Sequence, residues 1–367
     1  MRSGFTTGSC SAAAAKAAAY MLITGTKLEE VTITTPAGVE YRPSLTNISI
    51  TEDYVVCGIV KDSGDDPDVT NGALILAKVW CDDHSEAYKE STVTITGGVG
   101  VGIVTKPGLD RKVGEAAINS VPRAMIESQV LEVARLLDYH GSYKVEISVP
   151  DGEELAKKTF NGRLGIEGGI SILGTSGIVE PMSQAALIAT IKLEAHQLYL
   201  YNQEVIVVSP GNYGRDFLKN ELGYDIDRSV KCSNFIGQTL DIAVEEGFKS
   251  FVLVGHIGKL VKIAGGMMNT HSKEGDCRME LLSAIFIKNG GDVEGARAIL
   301  DMVTTEEAVK VIDRAGLLKV CMQDMVERIC YYMEKRVNKC LSVDVIVFSN
   351  ELGILGESKG AKRWFIS

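Results

Sequence analysis

Through the second half of the chain, short unbroken runs of Val, Ile, Leu and Phe alternate with stretches of helical spacing, and each run ends in a loop of glycine, serine or asparagine. The runs lie at 170–173 before GTSG, 205–208 before SPGNYG, 230–232 before SNFIG, 251–254 before GHIGK and 343–348 before SNELG. An apolar run without polar alternation marks a strand buried on both faces, as in a parallel sheet covered by helices. The pattern therefore predicts an α/β unit whose small-residue loops gather at the carboxyl edge of one sheet. That edge is where open α/β sheets bind ligands.

The helical stretches carry their own punctuation. Ser183 is placed to cap a helix bearing Leu187, Ile191 and Leu198, and Ser233 to cap a helix over 234–246 that Gly247 stops. Thr304 with Glu307 makes a capping-box signature, and Gly316 separates that helix from a longer one. Met322, Val326, Ile329, Met333 and Val337 form a single stripe on the longer helix, which is read as core.

The first 150 residues have a different texture. Short strands are predicted at 31–35, 54–60, 72–80 and 92–96, broken by PAG, SGDDPD and GGVGVG. Pro122 begins an amphipathic helix with Ile126, Val130, Val133 and Leu137 on one face, a strand follows at 144–149, and Pro150-Asp151-Gly152 makes a turn. Strands and helices are segregated here, an α+β pattern. The expected division is an α+β domain over 1–160 and an α/β domain with a mostly parallel sheet over 161–367.

Composition narrows the function classes. A chain of 367 residues with 45% hydrophobic and 23% charged residues has room for two cores. Its formal charge of −10 argues against a nucleic-acid partner, which asks for a basic excess. The cysteines at 10, 57, 81, 232, 277, 321, 330 and 340 show neither C-x-x-C nor zinc spacing, so no metal site is expected and reduced thiols in a cytoplasmic protein are. The Ala-rich stretch 11–20 is interrupted by Lys16, lacks a cleavage site and follows a TTGS cap, so it reads as a helix rather than a secretion signal. No segment reaches the roughly 18 uninterrupted apolar residues of a membrane span.

Five segments could carry chemistry. In VIVVSPGNYGRDFL, Gly211 and Gly214 would let backbone amides approach a ligand at a helix start, although tight connections use the same glycines. FVLVGHIGKLVKIAGG repeats the arrangement with His256 between Gly255 and Gly258. Lys259 then falls in the first helical turn, where the helix dipole disfavours a cation unless an anion is bound nearby. MNTHSKEGDC holds Asn269, His271, Asp276 and Cys277, and is either exposed surface or part of a site lid. In GFTTGSCSAAAAKAA the hydroxyls of Thr6, Thr7 and Ser9 could hold a carboxylate or simply cap the helix. The glycine-rich stretch 96–123 carries Lys106, Arg111, Lys112 and Arg123, a composition able to wrap an acidic ligand or to form an exposed loop.

Taken together and in order, FTTGSCSAAAAKAA, GGVGVGIVTKPGL, INSVPR, TFNGRLGIEGGISILGTSGIVEPMS, VSPGNYGRDF, VKCSNFIG and VGHIGKLVKIAGGMMNTHS resemble the CbiD family of cobalt-precorrin-5B C(1)-methyltransferases. The similarity runs from Arg2 to the SNELGILG segment. The resemblance implies methyl transfer from S-adenosyl-L-methionine to ring carbon 1 of a cobalt-bearing tetrapyrrole, giving cobalt-precorrin-6A, with the cobalt arriving in the substrate. It also implies an α+β domain joined to a Rossmann-like one.

Such a reaction needs no protein nucleophile, only placement, exclusion of water and, where a proton must move, a base. His256 and His271 are the expected bases. Gly211, Asn212, Gly214, Gly255 and Gly258 are the expected contacts to the methyl donor, and Thr6, Thr7, Ser9, Lys106, Arg111, Arg123 and Lys259 to the acidic tetrapyrrole. Glu180 and Asp216 are conceivable partners for the ribose, although surface and capping roles fit them better. A homo-oligomer is left open, and no membrane partner is expected. Two rival readings stand beside this one, a nicotinamide-dependent reductase and a non-catalytic carrier of an anionic tetrapyrrole. The first lacks G-x-G-x-x-G with an acidic partner downstream.

Overall fold

The computed structural model describes residues 1–82, 91–159 and 161–365. The chain divides into two compact units, Met1–Ser183 and Gln184–Ser367.

In the first unit an Ala-rich helix α1 (Thr7–Thr24) precedes a five-stranded sheet. Its strands are β1 (Thr46–Ile50), β2 (Tyr54–Val60), β3 (Leu74–Cys81), β4 (Thr92–Gly97) and, after helix α2 (Ser120–Leu136), β5 (Ser142–Ser148), in spatial order β1-β2-β3-β5-β4. Every neighbour pair is antiparallel except β4 with β5. Alternate residues of β3 and β5 are buried, because only one face of the sheet meets the helices. That face, with Val55, Ile75, Val79 and Val145, shares its core with Ile126 and Val130 of α2 and with the alanines 12–15 and 17–19, each fully buried. Alanine is required there: a helix enclosed on several sides has no room for longer side chains.

The second unit opens with α3 (Gln184–Tyr201) and then alternates: β6 (Val205–Ser209), α4 (Asn212–Asn220), β7 (Ser229–Lys231), α5 (Ile236–Glu246), β8 (Ser250–His256) and α6 (Ile257–Ala264). Four more helices follow, α7 (Arg278–Lys288), α8 (Val293–Leu300), α9 (Thr305–Arg314) and α10 (Leu318–Arg336), and the hairpin β9 (Ser342–Ser349) with β10 (Gly353–Glu357) completes the sheet. Spatial order is β7-β6-β8-β9-β10, parallel up to β9 and antiparallel in the final pair. Ile206, Val208, Leu253 and Val345 enter one core; Val207, Val252, Val254 and Ile346 enter another with Phe217 and Leu218 of α4. Both faces are covered, which is why these strands lack polar alternation.

Several expectations need correction. The run at 170–173 is not a strand of this sheet: Ile170 bridges Val101 and Ile172 bridges Ile118, inside the first unit. The first unit accordingly extends to Ser183 rather than to 160, since the following GTSG loop docks on the start of α1. Ser233 does not cap α5; it has φ 53°, and Phe235 occupies the cap position. Gly247 does stop that helix in the left-handed conformation, and the Thr304–Glu307 capping box is formed. The stripe from Met322 to Val337 is buried throughout.

The GGVGVG segment is a backbone crossing. Gly100 has φ 70°, and a Cβ there would lie 1.8 Å from the Val149 carbonyl oxygen, while a Cβ on Gly152 or Gly169 would lie 2.0 or 2.2 Å from the carbonyl oxygen of Gly100. Three chain segments thus meet where no side chain fits. Gly100→Ala should cost on the order of 3 kcal/mol through strain plus overpacking. Gly114→Ala, at φ 90° with open space around it, should cost only about 1 kcal/mol. Urea unfolding of the two variants checks this, and equal losses would refute the crossing as the cause.

Candidate functional site

The connection from β6 leads outward to β7 on one side and that from β8 leads outward to β9 on the other, so the crevice of the sheet lies between the carboxyl ends of β6 and β8. From β6 the chain passes through Pro210 and Gly211 into α4. Gly211 has φ 126° and ψ −173° and starts the helix without a side-chain cap. Beyond its chain neighbours, a Cβ on Gly211 would find among the described residues one atom within 4 Å, the ammonium of Lys259 at 3.8 Å. The turn is therefore open apart from that lysine.

From β8 the chain enters α6 through His256. Its Nδ1 accepts the Gly258 N–H at 3.1 Å, and its Nε2 lies 2.9 Å from Oε1 of Glu306. A backbone N–H can only donate, so the ring proton sits on Nε2 and is given to the carboxylate. The same Oε1 accepts the Asn350 N–H at 3.1 Å, and the buried Oε2 of Glu306 has no hydrogen-bond partner among the described residues. This network ties the ends of β8 and β9 to the start of α9. To accept a proton, His256 would first have to release the helix cap, so the structure gives it a holding role.

Cations line the opposite side. The ammonium of Lys259 reaches the Ser233 carbonyl at 3.4 Å, and Lys231 donates to Oδ1 of Asn212 at 2.7 Å. Burial holds the Lys259 ammonium below the usual lysine range, with Lys231 and Lys262 adding to the effect and the Cys232 thiol opposing it. Cys232, fully buried, is itself pushed up to about 12 by burial. Lys262, 4% exposed, donates to the carbonyls of Gly275 at 2.8 Å and Thr270 at 3.4 Å, fixing the polar loop 267–277. Thr270 N–H also donates to the Asn234 carbonyl at 3.0 Å, so this loop is moored beside the loop that follows β7. His271 stands exposed on it; Nδ1 accepts the Lys273 N–H at 3.0 Å, and no bond to Nε2 is found among the described residues.

The structure thus brings Gly211, Asn212, His256, Gly258 and Lys259 to one edge, and it packs Gly214 and Gly255 closely against neighbouring side chains. A Cβ on Gly214 would lie 2.8 Å from that of Ser209, and one on Gly255 would lie 2.2 Å from Leu260 Cδ1. Both glycines let helices approach strands beneath the crevice.

In the first unit the hydroxyls turn inward. Thr6 accepts the Ser9 N–H at 3.2 Å, Thr7 bonds both backbone groups of Leu173, and Ser9 donates to the Gly177 carbonyl at 2.7 Å. All three are buried, and their hydrogen bonds hold the GTSG loop against the start of α1. Arg123 donates to the carbonyls of Ile118 and Ile95, both at 2.9 Å, and Arg111 pairs with Glu115 at 2.6 Å. Lys106 is exposed, with its ammonium 3.1 Å from the Arg163 carbonyl oxygen.

Glu306, Lys231 and Lys262 were not singled out from sequence. Glu306 was hidden inside the capping-box segment TTEE, and Lys231 interrupts an otherwise apolar strand end, a signal that could have found it. Among the described residues no group of three or more His, Cys, Asp or Glu side chains could hold a metal ion, and no helix is long and apolar enough to cross a membrane. All eight cysteines are free.

The family model CbiD matches residues 1–181, and the model described as the CbiD C-terminal domain matches residues 269–359. A protein of Ruminiclostridium cellulolyticum is 46% identical over 350 residues, covering 95% of this chain and 89% of that one. The chain belongs to the CbiD family. The Ruminiclostridium relative is named cobalt-precorrin-5B C(1)-methyltransferase. So is a protein of a Thermoanaerobacter species, 44% identical over 365 residues, covering 99% of this chain and 97% of the other. A crystal structure of the cobalamin biosynthesis protein CbiD from Archaeoglobus fulgidus is 28% identical, covers 75% of this chain and 84% of that one, and aligns with a TM-score of 0.39. The CbiD match over 1–181 ends beside the boundary between the two units.

The Lys259 charge carries a sign that can be measured. Its folded-state affinity for a proton is lower than in the unfolded chain, so the charged form subtracts stability at neutral pH, and the deficit is recovered as pH rises from the folded value to about 10.4. Lys259→Met should therefore stabilise the ligand-free protein at pH 7, by roughly 0.5–1 kcal/mol. Thermal unfolding at pH 7 and pH 10 checks this: the variant's advantage should shrink at the higher pH.

Proposed function

We propose that this chain transfers a methyl group from S-adenosyl-L-methionine to ring carbon 1 of cobalt-precorrin-5B, giving cobalt-precorrin-6A, and that the second unit is a Rossmann-like domain receiving the donor. The observation that carries the reading is relatedness over nearly the full chain, at 46% and 44% identity, to proteins named for that reaction. The parallel strand order, with its crevice at Gly211 and His256, supports placing the donor in the second unit. The tetrapyrrole substrate and a cytoplasmic location come with the same reading.

The residues fit a donor of this kind. Gly211 leaves an open turn before an uncapped helix, and Asn212, Gly258 and Lys259 lie along the same edge. Bound there, the donor supplies a methyl group activated by its sulfonium. The chain's work is to orient and to exclude water, since in-line transfer to an electron-rich carbon gains most from fixed geometry. The Glu306–His256–Gly258 network keeps the crevice wall rigid. His271 has the same tautomer as His256, with Nδ1 accepting the Lys273 N–H and the proton on Nε2, so protonation at Nδ1 would release only a turn hydrogen bond and no helix cap. In the first unit Lys106 remains exposed to meet a carboxylate of the macrocycle.

Incubation of the purified protein with methyl-labelled S-adenosyl-L-methionine and cobalt-precorrin-5B should move label into the macrocycle; no transfer would reject the reading. His271→Ala should lower turnover by about a hundredfold or more with an unchanged melting temperature. His256→Ala should instead lower the melting temperature, and unaffected turnover in His271→Ala would remove the base assignment.

A further inference from the structure

Lys231 and Lys259 are unlike the other lysines described at ion pairs. Lys16, Lys61, Lys192, Lys288 and Lys310 each meet a carboxylate. Neither Lys231 nor Lys259 is within 4.0 Å of a carboxylate among the described residues; each turns back onto a neutral oxygen instead, Oδ1 of Asn212 and the carbonyl of Ser233. Lys259 is only part-exposed, and the groups acting on its charge are Cys232, Lys231 and Lys262, with no acid among them. In a chain of net charge −10, a desolvated cluster of like charges without a counter-ion is a local cost. The two ammonium groups flank one feature: Lys231 bonds the first residue of α4, and Lys259 stands 3.8 Å from where a Gly211 Cβ would be. The space beside Gly211 therefore faces two cations across a turn that carries no side chain.

We propose that Lys231 and Lys259 form a carboxylate-binding subsite around the Gly211 turn. A carboxylate seated there would accept one charge-assisted hydrogen bond from each ammonium, relieving their mutual repulsion, and the neutral oxygens of Asn212 and Ser233 hold the lysines ready until it arrives. The missing Cβ at Gly211 makes the approach possible. This rests on the methyltransferase reading, which offers two carriers of the same chemistry: the amino-acid tail of the methyl donor and an acidic side chain of the macrocycle.

The test uses the full chain as wild type, as the double variant K231Q/K259Q, and as Lys335→Gln, an exposed lysine on α10, for control. Calorimetry with S-adenosylhomocysteine and with 5′-methylthioadenosine, which lacks the amino-acid tail, is run beside fluorescence titration with uroporphyrin III, a tetrapyrrole polycarboxylate. Loss of at least about tenfold in S-adenosylhomocysteine affinity in the double variant only, with methylthioadenosine unmoved, supports the subsite and assigns it to the donor tail. An equal loss for uroporphyrin with S-adenosylhomocysteine unmoved supports it and assigns it to the macrocycle. Changes below about twofold for both carboxylate probes, or no binding of either by wild type, overturn the subsite. Label transfer by the wild type is scored separately, so a failed subsite with intact methyl transfer leaves the function standing.

Discussion

Parallel pairing of β6 with β8, Val205 opposite Ser250 through Val208 opposite Leu253, is the constraint on which the second unit's chemistry depends. In parallel strands the carboxyl ends fall on the same side, so this single register sets the Gly211 turn beside His256. With β7 on the outer flank of β6 and β9 on that of β8, the loops carrying Ser233 and Asn350 join the same edge. A slip of one residue would turn every buried side chain of these strands to the opposite core, and the two cores are too differently filled to accept that.

Holding that edge and leaving it open make opposite demands, and the chain meets them with different residues. Glu306 and His256 hold it: one carboxylate oxygen, an imidazole and two backbone amides are joined in a single network. Lys231 and Lys259 leave it unfinished, as charges resting on neutral oxygens. Local instability of this kind is common at working surfaces and is offset elsewhere in the fold.

Much of the fold was legible in sequence, for a physical reason. Four of the apolar runs became strands because burial on both faces leaves no alternative to continuous hydrophobicity. The run at 170–173 looks the same locally; its isolated bridges to Val101 and Ile118 are decided by distant partners that no local pattern encodes. Among site residues, glycines misled most. A ligand pressed against the backbone and a helix pressed against a strand both require a missing Cβ, so Gly211 and Gly214 read alike in sequence, while only the structure finds open space beside one and Ser209 beneath the other. The hydroxyls of Thr6, Thr7 and Ser9 show the same ambiguity, and the structure engages them in capping and loop docking. Glu306 and Lys262 escaped notice because each acts through a fold partner remote in sequence or through backbone carbonyls, neither of which leaves a motif.

Lys262 has a bearing on how the second unit is tied together. It shares α6 with Lys259, and its ammonium clasps the carbonyls of Thr270 and Gly275 from below. The loop bearing His271 is thereby bolted to the helix whose first turn faces the crevice. The His271 loop and the Lys259 turn therefore share one anchor, the short helix α6, rather than resting on separate elements.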